Sequence, residues 1–376
     1  MTKKKTIIMK KILFLDRDGT IIKEPEDEQI DSLEKMEFVP GVFRVLNQLI
    51  NQFDYELVMV TNQDGLGTDS YPTESFNLVQ EKMLSTLKGE GIEFSEILID
   101  DSFPVDNSPN RKPNIGMVDK YLNANLDYEN SYVIGDRLTD LQLARNMKLK
   151  GIMLCENCDI NVANNKTVFN CNTWSEILEI IKLNYRSAKV NRNTDETQIE
   201  ISLSVDGEGK TKVATGLRFF DHMLEQLGKH SGVNLSVKAN GDLDIDEHHT
   251  IEDTAIALGE AFRETLGNKK GIERYGFTLP MDDCLAQVTL DFGGRPWLVW
   301  DVDFKREKIG DMSTEMFYHF FKSFSDGARC NLNIKSEGNN EHHKIEGIFK
   351  ALARSIKMAV KQDEFSYAVP STKGSL

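Results

Sequence analysis

The seven histidines of this 376-residue chain all lie in its second half, and six of them follow a repeated pattern. Two adjacent histidines followed by a glutamate occur twice, as His248-His249-x-Ile-Glu252 and as His342-His343-x-Ile-Glu346. A single histidine within an aromatic segment precedes each pair, His222 before the first and His319 before the second. A repeat of four donor residues in the same order indicates a duplicated half-domain.

These side chains are the donors expected of a metal centre. Three imidazoles and one carboxylate suit Mn²⁺, Fe²⁺ or Zn²⁺ better than Mg²⁺, and six histidines with two glutamates divide evenly into two such sites. On a helix, the second histidine of each pair would share a face with the glutamate. The predicted ligands are His222, His248, His249, Glu252, His319, His342, His343 and Glu346. The remaining histidine, His230, is predicted to line the substrate pocket.

A second chemistry is indicated near the start of the chain, where Asp16-Arg17-Asp18-Gly19-Thr20 follows an apolar run. A carboxylate that attacks phosphorus must be fixed in line with the leaving oxygen. A second acid two residues away can protonate that oxygen and later activate water. The motif predicts Asp16 as nucleophile and Asp18 as general acid/base, although an Asp-rich segment after a strand can be only a turn.

Three further segments carry groups that would complete such a site. Thr61 and Asn62 end a second apolar run and offer a hydroxyl and backbone donors to phosphoryl oxygens. Lys112, in Arg111-Lys112-Pro113, offers an ammonium, and Asp136 follows another apolar run. Because Mg²⁺ prefers oxygen ligands, we predict a Mg²⁺ site formed by Asp16, Asp18 and Asp136.

The elements that must position these residues alternate in type along the first half. Short apolar runs at 12–15, 57–60, 97–99, 132–134 and 152–154 are typical of buried strands. Helical patterns separate them, from about residue 40 and from about residue 73 to 89. This order predicts an α/β doubly wound parallel sheet with its functional residues at the carboxyl ends of the strands. Residues 184–193 form a polar connector in this interpretation, and a strand is expected at 197–205.

Composition excludes several other classes of function. A formal net charge of -15 argues against nucleic acid or an anionic membrane as partner. The N-terminal segment lacks the roughly 7–15 apolar residues of a secretory signal, so we expect a cytoplasmic enzyme. The five cysteines are scattered and odd in number, which favours free thiols. A zinc or redox role for Cys155 and Cys158 is the less favoured alternative.

The motifs around Asp16, Thr61, Lys112 and Asp136 resemble those of the haloacid-dehalogenase phosphatase superfamily over about residues 10–155. The resemblance implies the roles given above, with the Asp18 backbone carbonyl as a Mg²⁺ ligand. Within it, the stretch is similar to the histidinol-phosphate phosphatases and the heptose-bisphosphate phosphatases, many of which carry a zinc-binding loop before Arg-Lys-Pro. Residues 100–110 contain neither cysteine nor histidine. Structural zinc is therefore predicted absent.

The histidine-rich half resembles imidazoleglycerol-phosphate dehydratase from about residue 190 to 376. The matching stretches include 192–197, 220–224, 246–253, 310–315, 340–343 and 371–374. The resemblance implies an α+β domain of two duplicated half-domains with two Mn²⁺ per set of sites. It implies Glu196 as acid/base and a phosphate clamp of Arg274, Arg295, Ser371 and Lys373. Arg218 departs from the small residue usual in the family.

Together the halves are similar to bifunctional histidine-biosynthesis enzymes, which act on small-molecule phosphates. We expect a phosphatase domain over residues 1–185 and a dehydratase domain over 186–376. The resemblance also implies a large homo-oligomer formed through the C-terminal domain, with metals at subunit contacts. Two alternatives remain open: a heptose-bisphosphate phosphatase in the first half, or a metal-storage or scaffolding module without turnover in the second.

Overall fold

The structure is a computed structural model that describes residues 9–122, 125–155, 167–276, 279–363 and 366–376. The chain divides into two compact units, Met1–Ile181 and Lys182–Leu376. Within the described residues, no helix combines the length and the apolar character that crossing a membrane requires.

Unit 1 is built on a six-stranded sheet in the order β3-β2-β1-β4-β5-β6, and all its strand pairs are parallel. Its elements are β1 (Ile12–Leu15), α1 (Val42–Phe53), β2 (Glu56–Asn62), α2 (Thr73–Gly89), β3 (Glu96–Asp100), β4 (Tyr132–Gly135), α3 (Leu138–Met147), β5 (Lys150–Leu154), β6 (Val168–Cys171) and α4 (Trp174–Tyr185). The parallel, doubly wound fold predicted from the alternating pattern is confirmed.

The central strand β1 is fully buried because helices cover a parallel sheet on both faces. Phe14 packs with Val58, Val133 and Leu143 in one core. Helix α1 turns one apolar face to the interior, with Val45, Leu46 and Leu49 fully buried. The sheet edge that carries the acidic residues is thus fixed by a continuous core.

Unit 2 contains two copies of one arrangement. The first consists of β7 (Ser187–Asn193), β8 (Thr197–Ser204), β9 (Thr211–Ala214), α5 (Arg218–Ser231), β10 (Asn234–Gly241) and α6 (His248–Leu266). The second consists of β11 (Tyr275–Gly276), β12 (Leu279–Met281), β13 (Cys284–Asp291), β14 (Trp297–Asp301), the hairpin β15 (Lys308–Ile309) and β16 (Met312–Ser313), α7 (Glu315–Ala328), β17 (Asn331–Glu337) and α8 (Glu341–Ala359).

The two copies share their strand pairing. In the first, β10 pairs antiparallel with β8 and parallel with β9; in the second, β17 pairs antiparallel with β13 and parallel with β14. The predicted duplication and α+β class are confirmed. The predicted connector 184–193 is wrong in part, because Ser187–Asn193 forms β7, an edge strand paired with β8.

Helices from different copies pack together in the core of unit 2: α6 packs against α7, and α5 against α8. Two glycines permit the first approach. A Cβ on Gly259 would lie 2.5 Å from the Ala328 nitrogen, and one on Gly327 would lie 2.4 Å from the Ile256 carbonyl oxygen. The backbones of α6 and α7 therefore touch where any side chain would separate them.

Three cysteines, Cys171, Cys284 and Cys330, are free and buried. Cys155 is disulfide-bonded, which differs from the free thiol that the scattered cysteines favour. Cys158, the other member of the Cys-x-x-Cys motif, lies outside the described residues.

Two candidate active sites

The first site lies at the carboxyl ends of adjacent strands in unit 1. Asp16 follows β1, Thr61 and Asn62 end β2, and Asp136 follows β4. The loop residue Lys112 reaches this edge, and its buried Nζ lies 2.8 Å from Oδ1 of Asp16. The same ammonium lies 2.7 Å from Oδ1 of Asp140. Asn62 exchanges hydrogen bonds with the Lys112 backbone at 2.9 and 3.2 Å, so it positions the lysine.

Three aspartates there have the proximity that a cation requires. One oxygen each of Asp16, Asp136 and Asp140 lies within 4.8 Å of the others. Oδ1 of Asp136 is buried without a hydrogen-bond partner. Burial, with the nearby charges of Asp16 and Asp140, raises the pKa of Asp136 to about 8. Burial also raises the pKa of Asp140 to about 6, against the opposing effect of Lys112. These acids repel one another unless a cation lies between them, so they fit a divalent ion.

A glycine makes room for this cluster. Gly19 has φ +69°, and a Cβ there would lie 2.0 Å from Oδ2 of Asp136. The chain can turn past the carboxylate only because residue 19 has no side chain.

Asp18 is held by two neighbours that sequence reasoning missed as site residues. Nη1 of Arg17 donates to Oδ1 of Asp18 at 2.8 Å, and Nε2 of Gln63 donates to Oδ2 at 2.6 Å. Burial raises the pKa of Asp18, although Arg17 and Gln63 oppose the shift. Asp140 was missed as well. The adjacency of Gln63 to Thr61-Asn62, and of Asp140 to Asp136, was the available signal.

These residues open into a cavity of about 330 Å³. Its lining includes Asp16, Asp18, Thr61, Asn62 and Lys112. The cavity therefore combines the predicted nucleophile and acid/base with the predicted phosphate-binding groups.

The loop before Lys112 is held by hydrogen bonds centred on Asp100. Its Oδ2 accepts from the Ser108 hydroxyl at 2.9 Å, and its Oδ1 accepts from the Ser102 amide and hydroxyl. Arg111 pairs with both carboxylate oxygens of Asp64 and donates to the Ser102 carbonyl. The 100–110 loop is thus anchored by side chains at both ends.

The second site lies in unit 2, where helices from the two copies meet. Oε1 of Glu252 on α6 lies 3.3 Å from Nε2 of His248 and 2.6 Å from Nδ1 of His319 on α7. One donor atom from each of these residues lies within 4.8 Å of the others. Glu252 therefore contacts the first histidine of the pair, four residues away, whereas the sequence pattern paired it with the second.

In the second copy, too, the glutamate contacts the first histidine of its pair. Oε2 of Glu346 on α8 lies 3.4 Å from Nε2 of His342. Burial would raise the pKa of Glu346, but a hydrogen bond from Lys350 and the charges of His342 and His222 lower it. His222 on α5 is thus close enough to interact with this glutamate. The single histidine of each copy approaches the pair of the other copy.

The second histidine of each pair faces a different carboxylate. Nδ1 of His249 lies 3.0 Å from Oδ2 of Asp242, and Nδ1 of His343 lies 2.8 Å from Oδ1 of Asp283. The Asp242 contact raises the pKa of His249. A carboxylate on one ring nitrogen fixes the ring and favours Nε2 as the nitrogen that could bind a metal. Both imidazoles are half-buried at the surface of the unit.

The predicted phosphate-binding residues are brought together. Arg274, Arg295, Ser371 and Lys373 line one cavity of about 600 Å³. The guanidinium of Arg274 is fixed by a bidentate pair with Asp291, at 2.6 and 2.9 Å. Oε1 of Glu196 lies 3.8 Å from Nε2 of His249.

His230 lies apart from that cavity's lining and has Oε1 of Gln226 3.0 Å from its Nε2. The Arg218 backbone amide donates to Oδ2 of Asp311 at 2.7 Å, and the Phe219 amide donates to Oδ1 at 3.0 Å. Asp311 thereby caps α5 through backbone groups, an interaction that does not depend on the side chain at position 218.

Family models of two different proteins match the two halves of the chain. Residues 215–356 match the family model of imidazoleglycerol-phosphate dehydratase, and residues 11–170 match that of polynucleotide kinase 3 phosphatase. The solved structure of imidazoleglycerol-phosphate dehydratase from Staphylococcus aureus has a TM-score of 0.43 and 36% identity, covering 47% of this chain and 99% of that one.

Full-length relatives are also found. Histidine biosynthesis bifunctional protein HisB of Bacteroides fragilis is 57% identical over 98% of this chain and 100% of its own length. The protein of the same name from Spirosoma linguale is 56% identical over 98% of this chain and 100% of its length. Because this identity extends through both units, the chain belongs to the family of bifunctional histidine-biosynthesis proteins, which combine imidazoleglycerol-phosphate dehydratase with histidinol-phosphatase.

Proposed function

We propose that unit 1 hydrolyses histidinol phosphate by phosphoryl transfer to Asp16. The observation that carries this proposal is the contact of Lys112 with both Asp16 and Asp140, since a buried ammonium beside a carboxylate holds it in place and offsets its negative charge. The Asp16 carboxylate attacks phosphorus, and Asp18 protonates the departing alcohol. Asp18 then accepts a proton from the water that hydrolyses the phosphoaspartate. Thr61 and Lys112 bind the phosphoryl oxygens.

The proposed metal of this site is Mg²⁺. Its residues are Asp16, the Asp18 backbone carbonyl and Asp136, and the unpartnered Asp136 oxygen supports the assignment. Oxygen donors alone suit a hard cation. When bound, the ion neutralises charge on the phosphoryl oxygens.

For unit 2 we propose dehydration of imidazoleglycerol phosphate to imidazole acetol phosphate at two Mn²⁺ sites. His248, Glu252 and His319 supply one site, and His222, His342 and Glu346 supply the other. Imidazole-rich mixed donors support a transition metal. When bound, the ions supply Lewis acidity and polarise the substrate's azole ring. Glu196 moves a proton near the scissile centre, and the Arg274, Arg295, Ser371 and Lys373 set holds the phosphate. His230 is proposed as a pocket residue.

Each of these sites has three ligands from one chain, and we propose that His249 and His343 complete the sites of neighbouring copies. Their half-buried position and fixed rings support a large homo-oligomer assembled through this unit. We also propose a cytoplasmic enzyme whose residues 1–185 and 186–376 carry one activity each.

Paired variants of the full chain test these assignments. Asp16→Asn should abolish phosphatase turnover and leave dehydratase turnover intact, and His249→Ala should do the reverse. Faster hydrolysis of a heptose bisphosphate than of histidinol phosphate would contradict the substrate assignment. Metal uptake by the wild type without dehydration would instead support a storage module.

A further inference from the structure

Gln63 connects the two sides of the phosphatase site through a buried amide. Its Nε2 donates to Oδ2 of Asp18 at 2.6 Å and to Oγ1 of Thr61 at 2.8 Å. Its Oε1 accepts from Nη1 of Arg17 and from the Tyr71 hydroxyl, each at 3.3 Å. A glutamine amide has two N–H donors and an oxygen that accepts two bonds, so Gln63 uses its full capacity.

The charges around this amide fix its orientation. Exchange of its nitrogen and oxygen would place Oε1 against the Asp18 carboxylate and Nε2 against the Arg17 guanidinium, and both contacts would be repulsive. Arg17 is itself immobilised, fully buried with its guanidinium 4.9 Å from the Phe76 ring centre. Tyr71 is also buried. Arg17 and Tyr71 therefore hold the Gln63 amide, and their own burial restricts their reorientation.

This orientation determines what Thr61 can offer to a ligand. Its Oγ1 already accepts a hydrogen bond from Gln63. The hydroxyl hydrogen can then be donated toward the cavity that Thr61 lines. A phosphoryl oxygen accepts such a bond and cannot donate one in return, so Gln63 sets the polarity that the phosphate needs.

The same amide holds the carboxylate of Asp18. Gln63 holds Oδ2, while Arg17 donates to Oδ1 at 2.8 Å and to Oδ2 at 3.1 Å. Both carboxylate oxygens of Asp18 are therefore held by hydrogen bonds. These hydrogen bonds restrict the orientation of the carboxyl group and so the directions in which it can transfer a proton.

We propose that Gln63 is a positioning residue that aligns the acid/base carboxylate of Asp18 with the phosphate-binding hydroxyl of Thr61. This inference rests on the acid/base role proposed for Asp18. In the first step the bond from Asp16 oxygen to phosphorus forms, the bond from phosphorus to the alcohol oxygen breaks, and the Asp18 proton moves to that oxygen. Gln63 acts by holding the donor near the leaving oxygen.

The test compares leaving groups in a single turnover of the full chain. An alkoxide such as that of histidinol must be protonated as it departs, whereas nitrophenolate leaves without a proton. In Gln63→Met, release of histidinol from histidinol phosphate should slow by about ten-fold or more. Release from p-nitrophenyl phosphate, for which only the orientation of the Thr61 hydroxyl is lost, should slow by less than about three-fold. Gln80→Met is the matched control, at another buried glutamine of unit 1, whose Nε2 contacts the Met59 sulfur. It should change neither rate.

Equal slowing for both substrates would mean a merely structural role and would overturn the proposal, as would no slowing for either. Gln63→Leu also removes both donors without adding a carboxyl group beside Asp18, and it should show the same split if Gln63→Met folds poorly. Asp18→Asn provides the reference. If Asp18→Asn shows no split, the acid/base role itself is wrong; if only the Gln63 variants lack it, the positioning role alone is wrong.

Discussion

Nδ1 of His319 lies 2.6 Å from Oε1 of Glu252, although the two residues belong to different copies of the duplicated half-domain. The contact follows from the glycines that allow α6 and α7 to touch. Because the equivalent histidine, His222, approaches Glu346, the two copies exchange their single histidines. Neither copy by itself therefore contains the complete ligand set proposed for either metal site.

If His319 completes the metal site of His248 and Glu252, the substitution His319→Gln should remove one ligand of that site. Loss of a residue that only orients a ligand typically reduces metal affinity or activity 10–100-fold, so loss of the ligand should reduce dehydratase activity by at least about 100-fold. Bound metal per chain, measured after gel filtration, should fall. Phosphatase activity should be unchanged, because His319 lies in the other unit. His230→Gln is the control and should keep the wild-type metal content; an equal loss there would contradict the assignment.

Gly19→Ala should abolish phosphatase activity while leaving the dehydratase intact. The added methyl group would collide with the Asp136 carboxylate at 2.0 Å, and the φ of +69° would be strained for alanine. The matched control is Gly89→Ala at the end of α2, where a Cβ meets nothing within 4 Å. Turnover of histidinol phosphate should be normal in the control. Activity in Gly19→Ala above about one-tenth of wild type would show that the cluster tolerates displacement.

The strand ends that carry the phosphatase residues could be predicted from sequence because a parallel sheet brings successive strand ends to one edge. That rule alone predicts that Asp16, Thr61 and Asp136 lie close together. The same rule places Gln63 next to this edge, but its role could not be predicted, because it depends on Arg17, Tyr71 and Asp18 surrounding one amide. No local pattern encodes that arrangement.

The metal-ligand residues of unit 2 could be named from their repeat, but their partners could not. Residues three and four apart both neighbour a given helical position, so the sequence allowed either His248 or His249 to face Glu252. Asp242 decides which histidine faces Glu252, because its carboxylate accepts a hydrogen bond from Nδ1 of His249. The exchange of His319 and His222 depends in turn on helix packing between copies.

Lys112→Met should destabilise metal-free unit 1. The substitution leaves the buried Asp16 and Asp140 without their cation, and loss of one partner of a buried ion pair costs about 3–5 kcal/mol. Hydrogen exchange of β1 amides in EDTA would measure the loss, and Mg²⁺ should restore part of it by supplying positive charge. Lys35→Met, at a lysine paired with Asp27 and Asp31 near the surface, should cost far less stability, because water screens exposed ion pairs. Similar losses in both variants would contradict the special role of Lys112.

Magnesium binding to unit 1 should release a proton near neutral pH. Burial and the neighbouring aspartates raise the pKa of Asp136 to about 8, so this carboxyl group is mostly protonated in the metal-free protein at pH 7. The cation needs the carboxylate and must displace that proton. Affinity for Mg²⁺ should therefore rise between pH 6 and pH 8 and level off above about pH 8.

Titration calorimetry in two buffers of different ionisation enthalpy should show close to one proton released at pH 7, and almost none at about pH 9. Asp136→Asn has no proton to lose, so the buffer dependence should vanish and the affinity should fall. An affinity for Mg²⁺ that is equal at pH 6 and pH 9 would exclude Asp136 as the ligand whose proton is displaced.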